Sequence, residues 1–241
     1  MNSCRNCNEP INGNYCSNCG QPANFKRIDR HYIIHEIADA LFTHSGFLYT
    51  VKRIFTNPGE NIKQYLAGNR SRYVKPVTFV VITALIYTLV SHFFHIDIKE
   101  YSPQQPEIEF PTLNLLLNWI IDYGGYSHLI IGFFMAFWVK LFFRKSGYNL
   151  FEIFVLLCFL SGVVSFCFSF VLIIQGLTHL HLIQISSLLA ILYTSWAIGQ
   201  FFGKRKVVSY IKAFLSYIIG VAIFSFSVAF IGVFIDLIIR K

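Results

Sequence analysis

Long apolar runs separated by short polar breaks fill the chain from Pro76 to its end. The runs are continuous rather than alternating, which predicts membrane-spanning helices instead of the strands of a barrel. A helix needs about 20 apolar residues to cross the hydrocarbon core of a bilayer, which is about 30 Å thick. The second of the predicted spans is short, and the last is long enough to tilt. Five spans are predicted, over residues 77–94, 127–143, 151–174, 182–202 and 213–239.

One further apolar stretch, residues 112–121, is too short to span a bilayer. Asp122 and the pair Gly124 and Gly125 follow it, and these residues favour a break in a helix. We interpret the stretch as an interfacial or re-entrant helix. The alternative is that it is fused with the second span.

The composition agrees with a membrane protein. The 241 residues are 55% hydrophobic and only 13% charged, whereas about 25% of the residues of a soluble domain are charged. These values exclude an ordinary soluble globule, a disordered chain and a disulfide-rich secreted domain. We expect an all-α polytopic membrane protein with three parts: a zinc ribbon over 1–25, juxtamembrane helices over 26–75, and a five-helix bundle over 76–241.

Two amphipathic helices are predicted between the ribbon and the bundle. Apolar residues recur at helical spacing over residues 28–43 and again over 47–55. The first 25 residues contain four cysteines and no apolar core, so we expect no cleaved signal peptide.

A third short helix has clear boundaries in the sequence. Asn57 can cap its start, Pro58 occupies the first helical position, and Glu60 completes the pattern of a capping box. Gly68 is expected to end the helix, because glycine is the preferred residue just after a helix terminus.

The residues that lead into the first span are the first candidate binding site. Three cations, Arg70, Arg72 and Lys75, flank Tyr73. Each basic residue near an anionic membrane surface contributes about 1 kcal/mol of attraction, and tyrosine is common at the membrane interface. We predict contact with anionic lipid head groups. Two alternatives are a simple orientation signal, or a site on Arg70 and Arg72 for a phosphate or for a partner's acidic surface.

Basic residues also predict the orientation of the chain. Ten of the 20 Lys and Arg precede the first span, whereas the loop over 95–126 contains only Lys99. The loops that follow alternate between basic and non-basic in the same way. Because cytoplasmic loops are enriched in Lys and Arg, we expect an odd number of spans and a cytoplasmic N-terminus.

Four N-terminal cysteines predict a metal site. Cys4 and Cys7 form one CxxC pair, and Cys16 and Cys19 form a second. Four thiolates with this spacing suit one tetrahedral zinc ion, and four protein ligands leave no open position, so the zinc would be structural rather than catalytic. Reversible disulfides are the alternative, which a cytoplasmic location disfavours. We expect the ribbon to dock a protein partner. Nucleic-acid binding is not expected, because Arg5 is the ribbon's only basic residue.

Histidines provide a more speculative site. In the predicted topology most of them fall at the outer ends of spans or in outer loops, where imidazoles could form a metal or pH-sensing site. The alternative is that these side chains only tolerate the membrane interface. The outer-face candidates are His92, His95, His128, His179 and His181.

The sequence contains no phosphate loop, dinucleotide-binding glycine motif or nucleophile elbow. The spans also lack the mid-membrane ionisable residues that ion-coupled carriers usually contain. These observations favour a non-enzymatic membrane adaptor or sensor. The alternative is a small channel, or a lipid or small-molecule carrier, that the ribbon regulates.

Four motifs give the chain a resemblance to a known family. They cover residues 15–21, 46–52, 57–59 and 68–76, within about the first 80 residues. In these motifs the chain resembles the bacterial membrane proteins catalogued as domain of unknown function 3667. The resemblance implies a ribbon, spans and a location in the bacterial inner membrane, and it implies no reaction.

Overall fold

A computed structural model describes two compact units, Met1–Thr43 and His44–Lys241. In the second unit it describes residues 46–94, 96, 110–122, 124–178, 180, 182–204 and 206–239, with the side chains of 121–129 left out. In the first unit it describes residues 7, 9–10, 13–14 and 16–18. The helix predicted over 28–43 therefore lies outside the described residues.

The described part of the second unit consists of α-helices and their connections. Two short helices come first, followed by longer apolar ones, and a single 3₁₀ turn at Arg144–Ser146 joins two of the long helices. The helices are α1 (Phe47–Thr56), α2 (Pro58–Leu66), α3 (Pro76–Phe93), α4 (Pro111–Asp122), α5 (Gly124–Phe142), α6 (Leu150–Thr178), α7 (Ile183–Gly203) and α8 (Val207–Ile239).

Four of the helices, α3, α6, α7 and α8, are long and apolar enough to cross a membrane. They correspond to the first, third, fourth and fifth predicted spans, so the prediction of a multi-pass helical protein is confirmed. The second predicted span falls in α5, whose residues with described side chains include the shorter apolar helix Ile130–Phe142. The count of five spans is therefore one higher than the number of candidates in the described residues.

The stretch over 112–121 forms α4, and α5 begins two residues after α4 ends. Whether the two helices are separate or fused depends on Tyr123, which lies outside the described residues. The buried Asp236 carboxylate of α8 accepts the Thr112 N–H at 3.1 and 3.0 Å from its two oxygens. This contact attaches the first turn of α4 to the last turns of α8.

The centre of the bundle is the interface between α3 and α6. The fully buried Phe79 of α3 fills the space over Gly162, where any side chain would collide with the phenylalanine ring. Ser165 and Ser169 are also buried along α6, and the Ser169 hydroxyl donates to the Ser165 carbonyl at 3.0 Å. Small residues therefore permit close helix packing here, as is typical of membrane proteins.

Candidate functional site: the helical collar

Residues 46–75, which we call the collar, form a layer of short helices against the first two thirds of α6 and the second half of α7. The buried face of α1 consists of Phe47, Thr50 and Ile54. Phe47 packs between aromatic rings of two spans, with centroid distances of 5.5 Å to Phe79 and 5.4 Å to Phe166. The collar is thus held by the same apolar packing as the bundle.

Backbone hydrogen bonds close the collar by joining its two ends. Gly46 donates its N–H to the Arg72 carbonyl at 3.1 Å, from a backbone angle of φ 140° that favours glycine. The buried Thr50 hydroxyl donates to the Gly46 carbonyl at 2.8 Å and accepts the Val74 N–H at 3.0 Å. Residues more than 20 positions apart are therefore fixed together where the chain enters α3.

A buried amide connects α1, α2 and the loop before α3. The Asn61 side-chain nitrogen donates to the Arg53 carbonyl at 2.8 Å and to the Asn57 carbonyl at 2.7 Å. The Asn61 oxygen accepts the Tyr73 hydroxyl at 3.1 Å. Both amide atoms of a side chain that is only 4% exposed are satisfied, so Asn61 fixes the angle between the two short helices.

The collar docks on α7 through two long-range hydrogen bonds. The Gly59 N–H donates to the buried Gln200 side-chain oxygen at 2.8 Å, and the Tyr193 hydroxyl donates to the Ile54 carbonyl at 3.0 Å. A Cβ atom at Gly59 would lie 2.7 Å from the Gln200 carbonyl carbon. The backbones of α2 and α7 therefore approach as closely as glycine allows.

The capping box predicted for α2 is wrong in its detail. Asn57 and Pro58 occupy the expected positions, but the Asn57 side chain makes no capping bond to the backbone. Its nitrogen instead donates to the Glu60 carboxylate at 3.1 Å. The predicted end is confirmed, since α2 stops at Leu66 and Gly68 follows with φ 109°.

Of the predicted lipid or partner contacts, Arg70, Arg72 and Lys75 are exposed. The Arg70 guanidinium lies 5.5 Å from the centre of the Tyr65 ring and donates from Nε to the Tyr65 carbonyl at 3.2 Å. Arg70 therefore covers the C-terminal turn of α2, while its charge remains at the surface.

Tyr73 is too buried to be one of the aromatic residues that lie at the membrane interface. It is only 9% exposed, and its ring contacts Tyr49 and Tyr65 at centroid distances of 5.4 and 5.9 Å. Burial raises the pKa of Tyr73 from 10.0 to about 12, so the hydroxyl stays protonated and can donate to Asn61 even above pH 10. The placement of Tyr73 at the lipid surface is corrected to a place inside the collar.

The closed collar and the first turns of α3 form one contiguous segment, and a comparison with known families identifies it. Residues 44–88 match the family model described as "Protein of unknown function (DUF3667)". The resemblance inferred from the motifs is thereby confirmed over this segment. The search of curated proteins and the search of solved structures each found no match.

The DUF3667 segment is completed by residues that sequence reasoning missed. Gln200 and Tyr193 lie more than 100 positions away, within a run whose pattern predicts only a span. A polar residue in an apolar run was the only available signal at Gln200. For Asn61, the signal available in the sequence was its position one helical turn after Asn57, the residue that precedes α2.

Basic side chains gather at the collar end of the bundle. In the described residues, every Lys and Arg lies in the collar, in the last turn of α5, in the connections after α5 and α7, or in the first turns of α8. The Lys63 ammonium lies 5.6 Å from the centre of the Phe201 ring at the end of α7. The DUF3667 segment thus sits on the strongly basic end of the molecule.

Two of the four predicted zinc ligands are described. The sulfur atoms of Cys7 and Cys16 lie 3.5 Å apart, which is too long for a disulfide bond of about 2.05 Å. Two ligands of tetrahedral zinc at about 2.3 Å are about 3.8 Å apart, so this pair fits a shared ion. Cys4 and Cys19 lie outside the described residues, and within the described residues no group of three metal-binding side chains was found.

The outer-face histidine prediction stays a prediction. His92 is exposed near the end of α3, whereas His95, His179 and His181 and the side chain of His128 lie outside the described residues. The ends of α3 and α6 do meet, because the Phe94 ring covers Gly176.

Proposed function

We propose that this protein is a non-enzymatic membrane adaptor or sensor. In this proposal the zinc ribbon formed by Cys4, Cys7, Cys16 and Cys19 docks a cytoplasmic protein partner. The collar holds its basic surface against anionic lipid head groups, and the helical bundle, with α5 as a fifth span, anchors the chain in the bacterial inner membrane.

The observation that carries the proposal is the fixed attachment of the collar. Asn61, Gly59 and Tyr193 all participate in hydrogen bonds that lock its helices to each other or to α7. A segment that only targets or orients a chain requires no such buried polar network, whose unsatisfied groups would each cost about 1–3 kcal/mol. A surface held in one orientation relative to the membrane is what docking requires.

The distribution of charge supports the orientation. The described basic residues lie at the collar end, and cytoplasmic ends of membrane proteins are enriched in Lys and Arg. We therefore place the collar on the cytoplasmic side. Arg70, Arg72 and Lys75 then face the lipid head groups of the inner leaflet.

The separation of the Cys7 and Cys16 sulfur atoms supports the zinc ion, whose binding would stabilise the fold of a short segment. Metal analysis of the purified full-length protein should give about one zinc per chain. The Cys16→Ser variant should lose it, and the matched variant Cys167→Ser, in α6, should keep it. Full zinc retention by Cys16→Ser would contradict the assignment.

The adaptor role is tested in native membranes with the same pair of variants. Cross-linking followed by affinity purification should recover a partner with the wild type and with Cys167→Ser, and should lose it with Cys16→Ser. A partner that Cys16→Ser retains in full would show that the ribbon is not the docking element. Transport of a solute or lipid by the purified protein in vesicles would favour the alternative of a carrier.

A further inference from the structure

A small cavity lies inside the bundle, where α5, α6, α7 and α8 meet. Its volume is about 90 Å³. The residues that α5, α6 and α7 contribute lie near the middle of each helix, so the cavity is near the middle of the membrane rather than at either surface. The lining includes Met135, Leu157, Ser161, Ala190, Thr194 and Tyr217.

Three hydroxyl groups give this otherwise apolar cavity its polar character. They belong to Ser161 of α6, Thr194 of α7 and Tyr217 of α8. None of the three forms a hydrogen bond within the described part of the chain. Thr194 is only 8% exposed, so bulk water outside the protein does not replace the missing partner. A buried hydroxyl that lacks a partner is unfavourable, which indicates that something in the cavity provides one.

Other hydroxyls in the bundle satisfy themselves on their own helix. Thr83 donates to the carbonyl four residues earlier at 2.9 Å, and Ser186, on the same helix as Thr194, does so at 2.8 Å. This local bond is the usual solution for serine and threonine inside a helix. Ser161 and Thr194 do not use it, although the residues four positions before them, Leu157 and Ala190, also line the cavity. Their hydroxyls therefore remain available to an occupant.

The size and the charge of the cavity favour water as that occupant. A water molecule takes about 30 Å³ at liquid density, so the cavity has room for about three. Among the described residues that line it, none is basic, acidic or a histidine, which favours an uncharged molecule. Water both donates and accepts hydrogen bonds, as the three hydroxyls require.

We propose that the cavity binds a cluster of about three water molecules, which hydrogen-bond to Ser161, Thr194 and Tyr217. The cluster connects α6, α7 and α8 in the middle of the membrane, where no described side-chain hydrogen bond of these three residues does so. The site is independent of the adaptor role, because neither the ribbon cysteines nor the collar is among its described lining residues.

A pair of neighbouring variants tests whether the hydroxyls are hydrated. Thr194→Val keeps the shape of the side chain and removes a hydroxyl that water satisfies, so the thermal midpoint of the full-length protein in detergent should fall by about 2–4 °C. Ser195→Ala is the matched control. The Ser195 hydroxyl is buried, has no partner in the described part of the chain and does not line the cavity, so its removal should leave the midpoint unchanged or raise it.

Radiolytic footprinting in lipid nanodiscs detects the water directly. Hydroxyl radicals that X-rays generate from bound water oxidise the side chains beside it. Met135 lines the cavity and is only 3% exposed, so we expect its oxidation only if water lies inside. The triple variant Ser161→Ala, Thr194→Val and Tyr217→Phe makes the cavity apolar, and apolar cavities stay dry. It should oxidise Met135 several-fold more slowly, whereas oxidation of the exposed Trp119, outside the cavity, should not change.

Two results would overturn the proposal. One is a Thr194→Val midpoint that stays the same or rises as that of Ser195→Ala does, which would mean that the Thr194 hydroxyl has no partner. The other is equal oxidation of Met135 in the wild type and the triple variant, which would mean that the cavity is dry or that radicals reach Met135 from outside. Footprinting is repeated on Thr194→Val alone, so the outcome does not depend on the folding of the triple variant.

Discussion

The hydrogen bonds of Asn61 should stabilise the collar measurably, and Asn61→Leu removes them while keeping the size of the side chain. The variant takes one donor away from each of two carbonyls, and it leaves the Tyr73 hydroxyl without its acceptor. A hydrogen bond contributes about 0.5–1.5 kcal/mol, and a buried group left unsatisfied costs about 1–3 kcal/mol. We therefore expect a loss of about 2–5 kcal/mol in the free energy of unfolding.

This loss should lower the thermal midpoint by about 4–20 °C, at about 2–4 °C per kcal/mol for a chain of this size. The assay is thermal unfolding in detergent, together with hydrogen exchange of residues 46–75. Gln64→Leu is the matched control, since Gln64 is exposed on the same helix, and its effect should stay within about 0.5 kcal/mol.

A double-mutant cycle with Tyr73→Phe isolates the contact between the two side chains. Tyr73→Phe keeps the ring contacts and removes only the hydroxyl. Because each single variant breaks the same hydrogen bond, the double variant should lose about 0.5–1.5 kcal/mol less than the two single losses together. Strict additivity of the two losses would refute the hydrogen bond between Asn61 and Tyr73.

Two further predictions concern the docking and the titration of the collar. Gly59→Ala should destabilise the protein by about 1–3 kcal/mol in thermal unfolding, because the added methyl group meets the backbone of α7. The control Gly132→Ala should show no such loss, because the nearest atom to its added methyl group is 3.9 Å away. Burial raises the pKa of Tyr73 from 10.0 to about 12, so its stabilising effect is complete below pH 10 and disappears as the pH rises to 12. The thermal midpoint of the wild type should therefore fall more steeply over this window than that of Tyr73→Phe, and parallel curves would contradict this assignment.

The spans and the short helices were predictable from the sequence because they depend on local pattern. A continuous apolar run located α3 and α6 without any knowledge of their neighbours, and Pro58 and Gly68 marked the two ends of α2. What the pattern could not provide is the identity of distant partners. Gln200 lies 141 positions from Gly59, and nothing near either residue indicates the other.

Tyr73 shows why the site was only partly predictable. A tyrosine beside three cations at the start of a span has the local signature of an interfacial residue. Its burial depends on Asn61, which provides an acceptor for the hydroxyl, and on Phe159, whose ring lies 6.4 Å away. The same local sequence therefore suits either environment, and only the tertiary partners distinguish them.

The DUF3667 segment cannot complete its own core without α6 and α7. Phe47 packs on Phe166, Tyr65 packs on Phe159 at 5.0 Å, and the Gly59 N–H requires the Gln200 side chain. Each of these partners belongs to α6 or α7, outside the matched residues. Rigid packing transmits displacement, so we expect a force on the collar to reach α6 and α7.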